Sequence, residues 1–412
     1  MPPPSRLSAS QRGATTAEAA GPASDPGGAV FKLPCGTLRL KVDRSDCSWD
    51  RLFGVGSRYN PKRGYIFVSK VLGKHWPVSP GTMGAVHSAL AEGLGKLKFA
   101  KPAVLVAMAE TAVGLGRGIF DRYAEAEGPD GLLFLQTTRH NPGRPAFLAS
   151  DEPHSHARGH EVLFPEGDPE KARILAGART LILVDDEITT GETLKGLARE
   201  FIAKAGSAAA GRAGGGVERV ALASIASFLS PEAEAGMAGA LAAVLSRVSL
   251  LEGTFSFEKT GEPLPPGGFR SRGAGPAAGG AVPRERGRLG LLPGEGKPDL
   301  RAAMDSLAFP AGDPVRVIGT GEFLHEPFLL ASAYASEGRR VVFQSTTRTP
   351  IAPGGPVGSV WRFEDDFGEG LDNFLYNAPA SFEGHTVVCR ETASPPPGFD
   401  IAGRLGAREI LL

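Results

Sequence analysis

The sequence predicts an α/β protein: a mostly parallel sheet with helices on both faces, followed by a smaller α/β domain. Three observations carry that expectation. Short continuous apolar runs alternate with amphipathic stretches of helical period, the pattern of parallel strands buried on both faces. A 41-residue stretch at 259–299 holds 11 Gly and 7 Pro, too little apolar surface to offset the entropy of ordering a core, and it separates two such alternating regions. One apolar run ends in paired carboxylates, a Thr/Gly turn and a helix start, at the edge where open parallel sheets bind ligands.

Taken in order, residues 1–28 are rich in Pro, Ala, Gly and Ser and read as a disordered tail. They lack the apolar core of a secretory signal. Residues 103–108 (AVLVAM), 132–137 (LLFLQT), 180–185 (TLILVD), 217–225 and 248–257 read as strands. The 80–99 stretch sets Met83, Val86, Leu90, Leu94 and Leu97 on one helical face, and 193–205 does the same with Leu194, Leu197, Phe201 and Ile202. Gly206 is a natural stop for the second helix, and 207–216 (SAAAGRAGGG) reads as a flexible insertion. A first domain thus occupies 29–258, a linker 259–299 and a second domain 300–412. The second offers strands at 315–318, 341–344, 386–388 and 409–412, a helix at 326–336 and a short aromatic helix at 374–376.

The chain has 412 residues, enough for two domains. Its 45 Lys and Arg balance 45 Asp and Glu, which excludes a nucleic-acid binder acting through a globally basic surface. Three cysteines without CxxC spacing exclude a disulfide scaffold and a cysteine-rich zinc module. No apolar run approaches the ~20 residues that span a bilayer. The expectation is a soluble, cytoplasmic protein with no membrane or nucleic-acid partner.

The chemistry concentrates in residues 181–193, LILVDDEITTGET. The turn and helix start offer unpaired backbone N–H groups at the positive end of a helix dipole, which suits a phosphate. Gly191 lets the backbone approach, and Thr189, Thr190 and Thr193 add hydroxyl donors. Asp185 and Asp186 only accept hydrogen bonds when ionised, so they suit sugar hydroxyls or a hydrated magnesium ion. Phosphate, ribose diol and metal together describe a phosphorylated ribose.

The segment resembles the phosphoribosyl diphosphate (PRPP) signature of type I phosphoribosyltransferases: four apolar residues, two acidic ones, then a Thr-Thr-Gly-x-Thr loop. The resemblance implies that Asp185 and Asp186 flank the ribose 2′- and 3′-hydroxyls and hold Mg2+ through water, with the stretch from Glu187 and Ile188 through Thr189, Thr190, Gly191 and Glu192 to Thr193 around the 5′-phosphate. It also implies a diphosphate loop after an earlier strand, here Ala109, Glu110, Thr111, Ala112 and Gly114. Arg139, His154, His156 and Arg158 then fall in a long polar excursion in the position of the flexible catalytic loop, where they would meet the leaving diphosphate. The HxHxxxH string there has no clearly attached carboxylate or cysteine framework for zinc. Upstream, Arg58, Lys62, Arg63, Lys70 and Lys74 form a basic window; Arg58, Lys70 and Lys74 are candidate acceptor or phosphate contacts, against the alternative of a solvated face.

The strings RYNPKRGYIFVSKVLGKH, AETAVGLGRGIF, QTTRHNPGRPAF, EPHSHARGH and LVDDEITTGET, in this order, resemble the phosphoribosyltransferase of bacterial tellurium-resistance gene clusters. In that family a C-terminal domain named for a Thr-Arg-Ser-Pro string follows; here it reads Thr347-Arg348-Thr349-Pro350. The resemblance implies PRPP-dependent transfer to a nitrogen-heterocycle-like acceptor in a stress-linked nucleotide or nucleoside pathway, by a homodimer. The alternatives are a non-catalytic PRPP-binding regulator and a nucleotide hydrolase. The C-terminal half also echoes the first: Ala109-Glu110-Thr111 followed by Gln136-Thr137-Thr138-Arg139 parallels Gly321-Glu322 followed by Ser345-Thr346-Thr347-Arg348. It lacks a DDxxTTGxT segment. Glu364, Asp365, Asp366 and Glu369 offer a second carboxylate cluster for metal or ribose, with Arg348 beside it as a candidate ligand site, against the alternative of a solvated loop.

Overall fold

The computed structural model describes residues 27–60, 62–140, 143–150, 160–208, 216–262, 264, 267–270 and 287–412. The proposed tail up to residue 26 and most of the 207–216 insertion lie outside them, as do His154, His156 and Arg158. The chain opens with a hairpin of β1 (Gly28–Leu33) and β2 (Gly36–Ser45). Helix α1 (Trp49–Leu52) leads into a second hairpin, β3 (Phe53–Ser57) and β4 (Tyr65–Ser69). Helix α2 (Pro80–Lys96), β5 (Ala103–Ala107), α3 (Val113–Glu127) and β6 (Leu132–Thr138) follow, then β7 (Ala146–Ser150) and β8 (His160–Leu163). The first lobe closes with α4 (Pro169–Ala176), β9 (Thr180–Val184), β10 (Glu187–Ile188), α5 (Glu192–Ala208), β11 (Arg219–Ser227), α6 (Pro231–Leu241) and β12 (Val244–Glu258).

The sheet order is β1-β2-β12-β11-β9-β5-β6-β8-β7, with β10 alongside β11. Its centre is parallel and its two ends are antiparallel. Alternate residues of the central strands feed opposite cores. Leu105, Phe134, Ile182 and Ala221 face α2 and α3, packing on Leu90, Leu94, Leu115 and Ile119. Val104, Leu133, Leu181 and Val220 face α4, α5 and α6, packing on Ile174, Leu197, Phe201 and Met237. Burial on both sides explains the unbroken apolar runs. The β1–β2 hairpin was not anticipated, although β2 alternates buried Leu38, Leu40 and Val42 with exposed Arg39, Lys41 and Asp43, a legible period of two. Helix α5 runs through Gly206 to Ala208: a glycine weakens a helix by about 1 kcal/mol without ending it.

The second lobe contains α7 (Leu300–Leu307), β13 (Val315–Gly319), α8 (His325–Ser336), β14 (Val341–Ser345), β15 (Val360–Glu364), β16 (Asp372–Tyr376), β17 (His385–Arg390), α9 (Ile401–Arg404) and β18 (Arg408–Leu411). Residues 374–376 are therefore strand, not helix. All five residues of β16 are buried and pair antiparallel with β15, and a run that short carries no decisive period. The 364–369 loop is not simply solvated either. Asp365 and Asp366 are buried, and the Asp365 carboxylate accepts the N–H groups of Phe367, Glu369 and Leu371.

The lobes share their interior. Val78, Met83, Ala109 and Val113 of the first lobe pack in one cluster with Leu324, Phe328, Phe343 and others of the second. Val68 packs with Ile351, Phe374 and Tyr376. Residues 287–299, assigned by composition to the linker, are partly interior: Leu291 bridges to Phe134 in backbone hydrogen bonds, and Arg288 is 1% exposed. One arginine with two carboxylate partners overrides a Gly/Pro-rich composition. Among the described residues, no helix is long and apolar enough to cross a membrane.

Candidate active site

The acidic motif emerges where β9 leaves the sheet. Asp185 N–H donates to the Ala223 carbonyl (3.1 Å), and the Asp186 carbonyl accepts from Ile225 N–H (3.1 Å). The chain then pairs briefly with β11 as β10, and buried Ile188 anchors it in the core. Gly191 has φ +72°, and a Cβ there would stand 2.6 Å from Met237 Cε and 3.1 Å from Leu229 Cδ1; both the turn and the packing require glycine. Its carbonyl accepts from Lys195 N–H at 2.8 Å to open α5. Thr189 is half-buried and Thr190 and Thr193 are exposed, so hydroxyls surround the N-terminus of a 17-residue helix.

Three consecutive half-buried carboxylates meet at this edge. Burial and then the neighbouring Asp186 push Asp185 well above the usual carboxylate range. Burial also raises Asp186, against the hydrogen bond from Asp185. Burial raises Glu187 to about 7, opposed by the Arg63 guanidinium that pairs with it. The cluster favours any cation or hydroxyl donor that relieves it.

The basic window is split by the fold. Arg63 leans on Glu187, and its guanidinium stands 4.9 Å over the Tyr65 ring. The Arg58 backbone bridges to Ile351 beside the Thr-Arg-Thr-Pro string, and Tyr59 N–H donates to the Pro350 carbonyl (3.2 Å). Lys70 turns elsewhere, donating to the Asp50 carbonyl (2.8 Å) and standing over Trp76. Lys74 is 0% exposed. Its ammonium lies 2.5 Å from Glu110 and 2.6 Å from the Gly321 carbonyl.

After β5, Met108 N–H donates to the Val184 carbonyl (2.9 Å) and Ala109 N–H to Thr137 Oγ1 (2.8 Å), which ties the Ala109–Ala112 loop to the strands on both sides. Glu110 and Thr111 are half-buried, while Ala109 and Ala112 are buried. Gly114 lies in the first turn of α3, where a Cβ would come 3.0 Å from Leu324 Cβ of the second lobe; its bare backbone admits the other lobe. Arg139 leaves β6 beside His140, and His140 stacks on Phe367 with ring centroids 3.7 Å apart. Arg348 Nη2 lies 2.9 Å from both His140 Nε2 and Glu369, so the arginine of the Thr-Arg-Thr-Pro string reaches the end of a first-lobe strand. Reading the sequence missed Arg288 and the pairing of Glu322 with it. A buried guanidinium inside a Gly/Pro-rich stretch has no periodic signature.

These contacts have a pH signature. Burial would raise Glu322, but Arg288 and then His140 hold it down at about 2. Glu369 stays at about 2 because hydrogen bonding to His140 and the Arg348 charge outweigh its burial. Both sit below the ordinary 4.5, so their stabilising contribution is complete above that value and disappears as pH falls toward about 2. Melting temperature should therefore drop between pH 5 and pH 3, and Glu369→Gln should flatten that drop. An equally steep fall in the variant would exclude this pair as its source.

A family model described as phosphoribosyl transferase matches residues 52–254, and a model of the TRSP domain that lies C-terminal to such enzymes matches residues 285–399. Residues 52–254 belong to the phosphoribosyl transferase family. The phosphoribosyl transferase match spans both the acidic motif and the Ala109–Ala112 loop, and the TRSP match spans Arg288, Glu322 and Arg348. Solved structures similar to it include adenine phosphoribosyl transferase from Trypanosoma brucei in complex with AMP, pyrophosphate and ribose-5-phosphate (14% identity, 52% of this chain and 83% of that one, TM-score 0.32). Others are the Giardia lamblia APRTase with 9-deazaadenine (17%, 48% and 95%, 0.30) and a Staphylococcus aureus hypoxanthine phosphoribosyltransferase (12%, 44% and 79%, 0.23). Among curated proteins nothing matches the chain.

Proposed function

We propose that this phosphoribosyl transferase moves the phosphoribosyl group of PRPP to a ring nitrogen of a small heterocyclic acceptor and releases diphosphate. The carrying observation is the cluster Asp185-Asp186-Glu187 beside a hydroxyl-lined helix N-terminus: a cation-seeking group next to an anion-seeking one, as a phosphorylated ribose requires. In the reaction the C1–O bond to diphosphate breaks, the diphosphate oxygen keeps the electron pair, and the acceptor nitrogen forms the new bond to C1. The acceptor's surplus proton leaves to solvent or to the departing anion.

Each segment has a task on this reading. Thr189, Thr190, Thr193 and the first N–H groups of α5 bind the 5′-phosphate. Asp185 and Asp186 accept the ribose hydroxyls and face the positive charge that develops on the ring as the bond to C1 loosens. The Ala109–Ala112 loop receives the diphosphate. Arg58 and Arg63 hang from the β3–β4 turn on the acceptor side. The work is positioning and electrostatic stabilisation, with no covalent intermediate on the protein.

The donor set fits magnesium. Asp185 and Asp186 are hard oxygen donors in excess of local positive charge. Two carboxylates with the remaining ligands from water and substrate oxygens are the usual arrangement for Mg2+. Bound there, the ion would supply charge neutralisation for the leaving diphosphate.

The deciding experiment is diphosphate release from Mg-PRPP across a panel of nucleobases and small nitrogen heterocycles. Acceptor-dependent release establishes transfer and names the acceptor class. PRPP binding without release for any acceptor would favour the regulatory reading, and nucleotide cleavage without PRPP the hydrolytic one.

A further inference from the structure

The four central strands of the first lobe recur in the second. The orders β6-β5-β9-β11 and β14-β13-β17-β18 correspond, and every neighbouring pair is parallel. The registers agree as well: Ala103 is opposite Leu132 and Thr180, as Val315 is opposite Val341 and His385. This alignment places Ala109 on Gly321, Glu110 on Glu322 and Thr137 on Thr346. A long-range hydrogen bond repeats with them. Ala109 N–H donates to Thr137 Oγ1 at 2.8 Å, and Gly321 N–H donates to Thr346 Oγ1 at 2.9 Å.

The copies diverge at the ligand edge. Arg390–Glu391 stand where Asp185–Asp186 stand, and Ser394-Pro395-Pro396 replaces the Thr189-Thr190-Gly191 turn. A side chain from the 287–299 segment sits at this edge. The buried Arg288 guanidinium donates to Glu391 (2.7 and 2.8 Å) and to Glu322 (3.1 Å).

The two equivalent loops are coupled through the lobe junction by two routes. Lys74 links Glu110 to the Gly321 carbonyl. Glu322 accepts from Thr138 Oγ1 (2.7 Å) and Arg139 N–H (2.8 Å), the residues that follow Thr137, which itself holds Ala109 N–H. Both routes run from the Gly321–Glu322 turn to the Ala109–Glu110 loop.

We propose that the second lobe is a degenerate copy of the first lobe's strand–loop–helix unit, serving as a built-in partner whose Gly321–Glu322 turn positions the Ala109–Glu110 loop for diphosphate. Glu322 is then a positioning residue. It acts through Thr138, Arg139 and Thr137 and is itself sealed from substrate. The inference rests on the phosphoribosyl-transfer reading and adds how the second lobe serves that site.

The test measures binding of two probes to the full-length chain by calorimetry: magnesium diphosphate, which needs the Ala109–Glu110 loop, and ribose 5-phosphate, which needs the Asp185–Thr193 segment. Glu322→Gln keeps the shape and leaves the Arg288–Glu391 pair in place. It should weaken diphosphate binding by roughly ten- to a hundredfold and leave ribose 5-phosphate binding unchanged. Thr346→Val, which frees Gly321 N–H, should shift the same probe in the same direction by less. Unchanged diphosphate binding in both folded variants, or equal loss of both probes, overturns the positioning role. If the unaltered protein binds neither probe, the transfer reading itself fails, a result distinguishable from the other two.

Discussion

Asp186→Asn should cut the rate of diphosphate release by about 10²–10³-fold, the scale expected when one preorganised group facing transition-state charge is removed. The amide cannot neutralise positive charge on the ribose ring or compensate a bound cation, and one end of it donates where the carboxylate only accepts. Stability should move the other way. Burial and like-charge neighbours already hold the Asp185–Asp186–Glu187 carboxyls above their ordinary range, so replacing one with a neutral isostere relieves the folded state. The melting temperature of the ligand-free protein should match or exceed that of the unaltered chain. Initial rates with the preferred acceptor and a calorimetric scan check both halves. Full activity would remove this edge from the mechanism, and a large fall in stability would mean that Asp186 is structural.

The second large effect concerns stability. Arg288→Leu should destabilise the protein by about 3–5 kcal/mol, the range for removing one partner from a buried ion pair. The loss comes mainly from Glu322 and Glu391, each left as an uncompensated carboxylate 1% exposed. Adding Glu322→Gln and Glu391→Gln to Arg288→Leu should therefore recover much of it. Denaturant unfolding of the single and triple variants measures the difference. A single-variant cost below about 1 kcal/mol would show that water reaches the cluster. The shared core adds a related consequence: truncation near residue 260 would expose Val78, Met83, Ala109 and Val113 and leave the Lys74 ammonium without its second-lobe carbonyl. The two lobes should therefore unfold in a single transition, which a calorimetric scan checks.

Features carried by local pattern were readable in the sequence. Residues 103–108, 132–137 and 180–185 declared themselves as strands because both faces of the sheet are covered. The 181–193 string was legible as an acidic strand end, a glycine turn and a helix start because these pieces are consecutive in the chain. The glycine in that turn was foreseeable, whereas the approach of Leu324 from the second lobe to Gly114, a member of the expected diphosphate loop, was not. The 374–376 stretch misled because three aromatic or aliphatic residues fit a buried strand and a helix face equally well.

By itself, then, the sequence determined the α/β alternation of both lobes, the acidic edge with its helix N-terminus, and the repeat of the Thr-Thr-Arg string. Each depends on neighbours a few residues apart, whose spacing is set by backbone geometry. Only the tertiary structure decided which lysine of the basic window is sealed at the lobe junction, that buried Arg288 joins Glu322 to Glu391, and that Lys74 ties Glu110 to Gly321. Those partners lie 34 to 247 positions apart. The burial that makes each contact strong exists only once both lobes have closed upon one another, and local sequence spacing does not encode it.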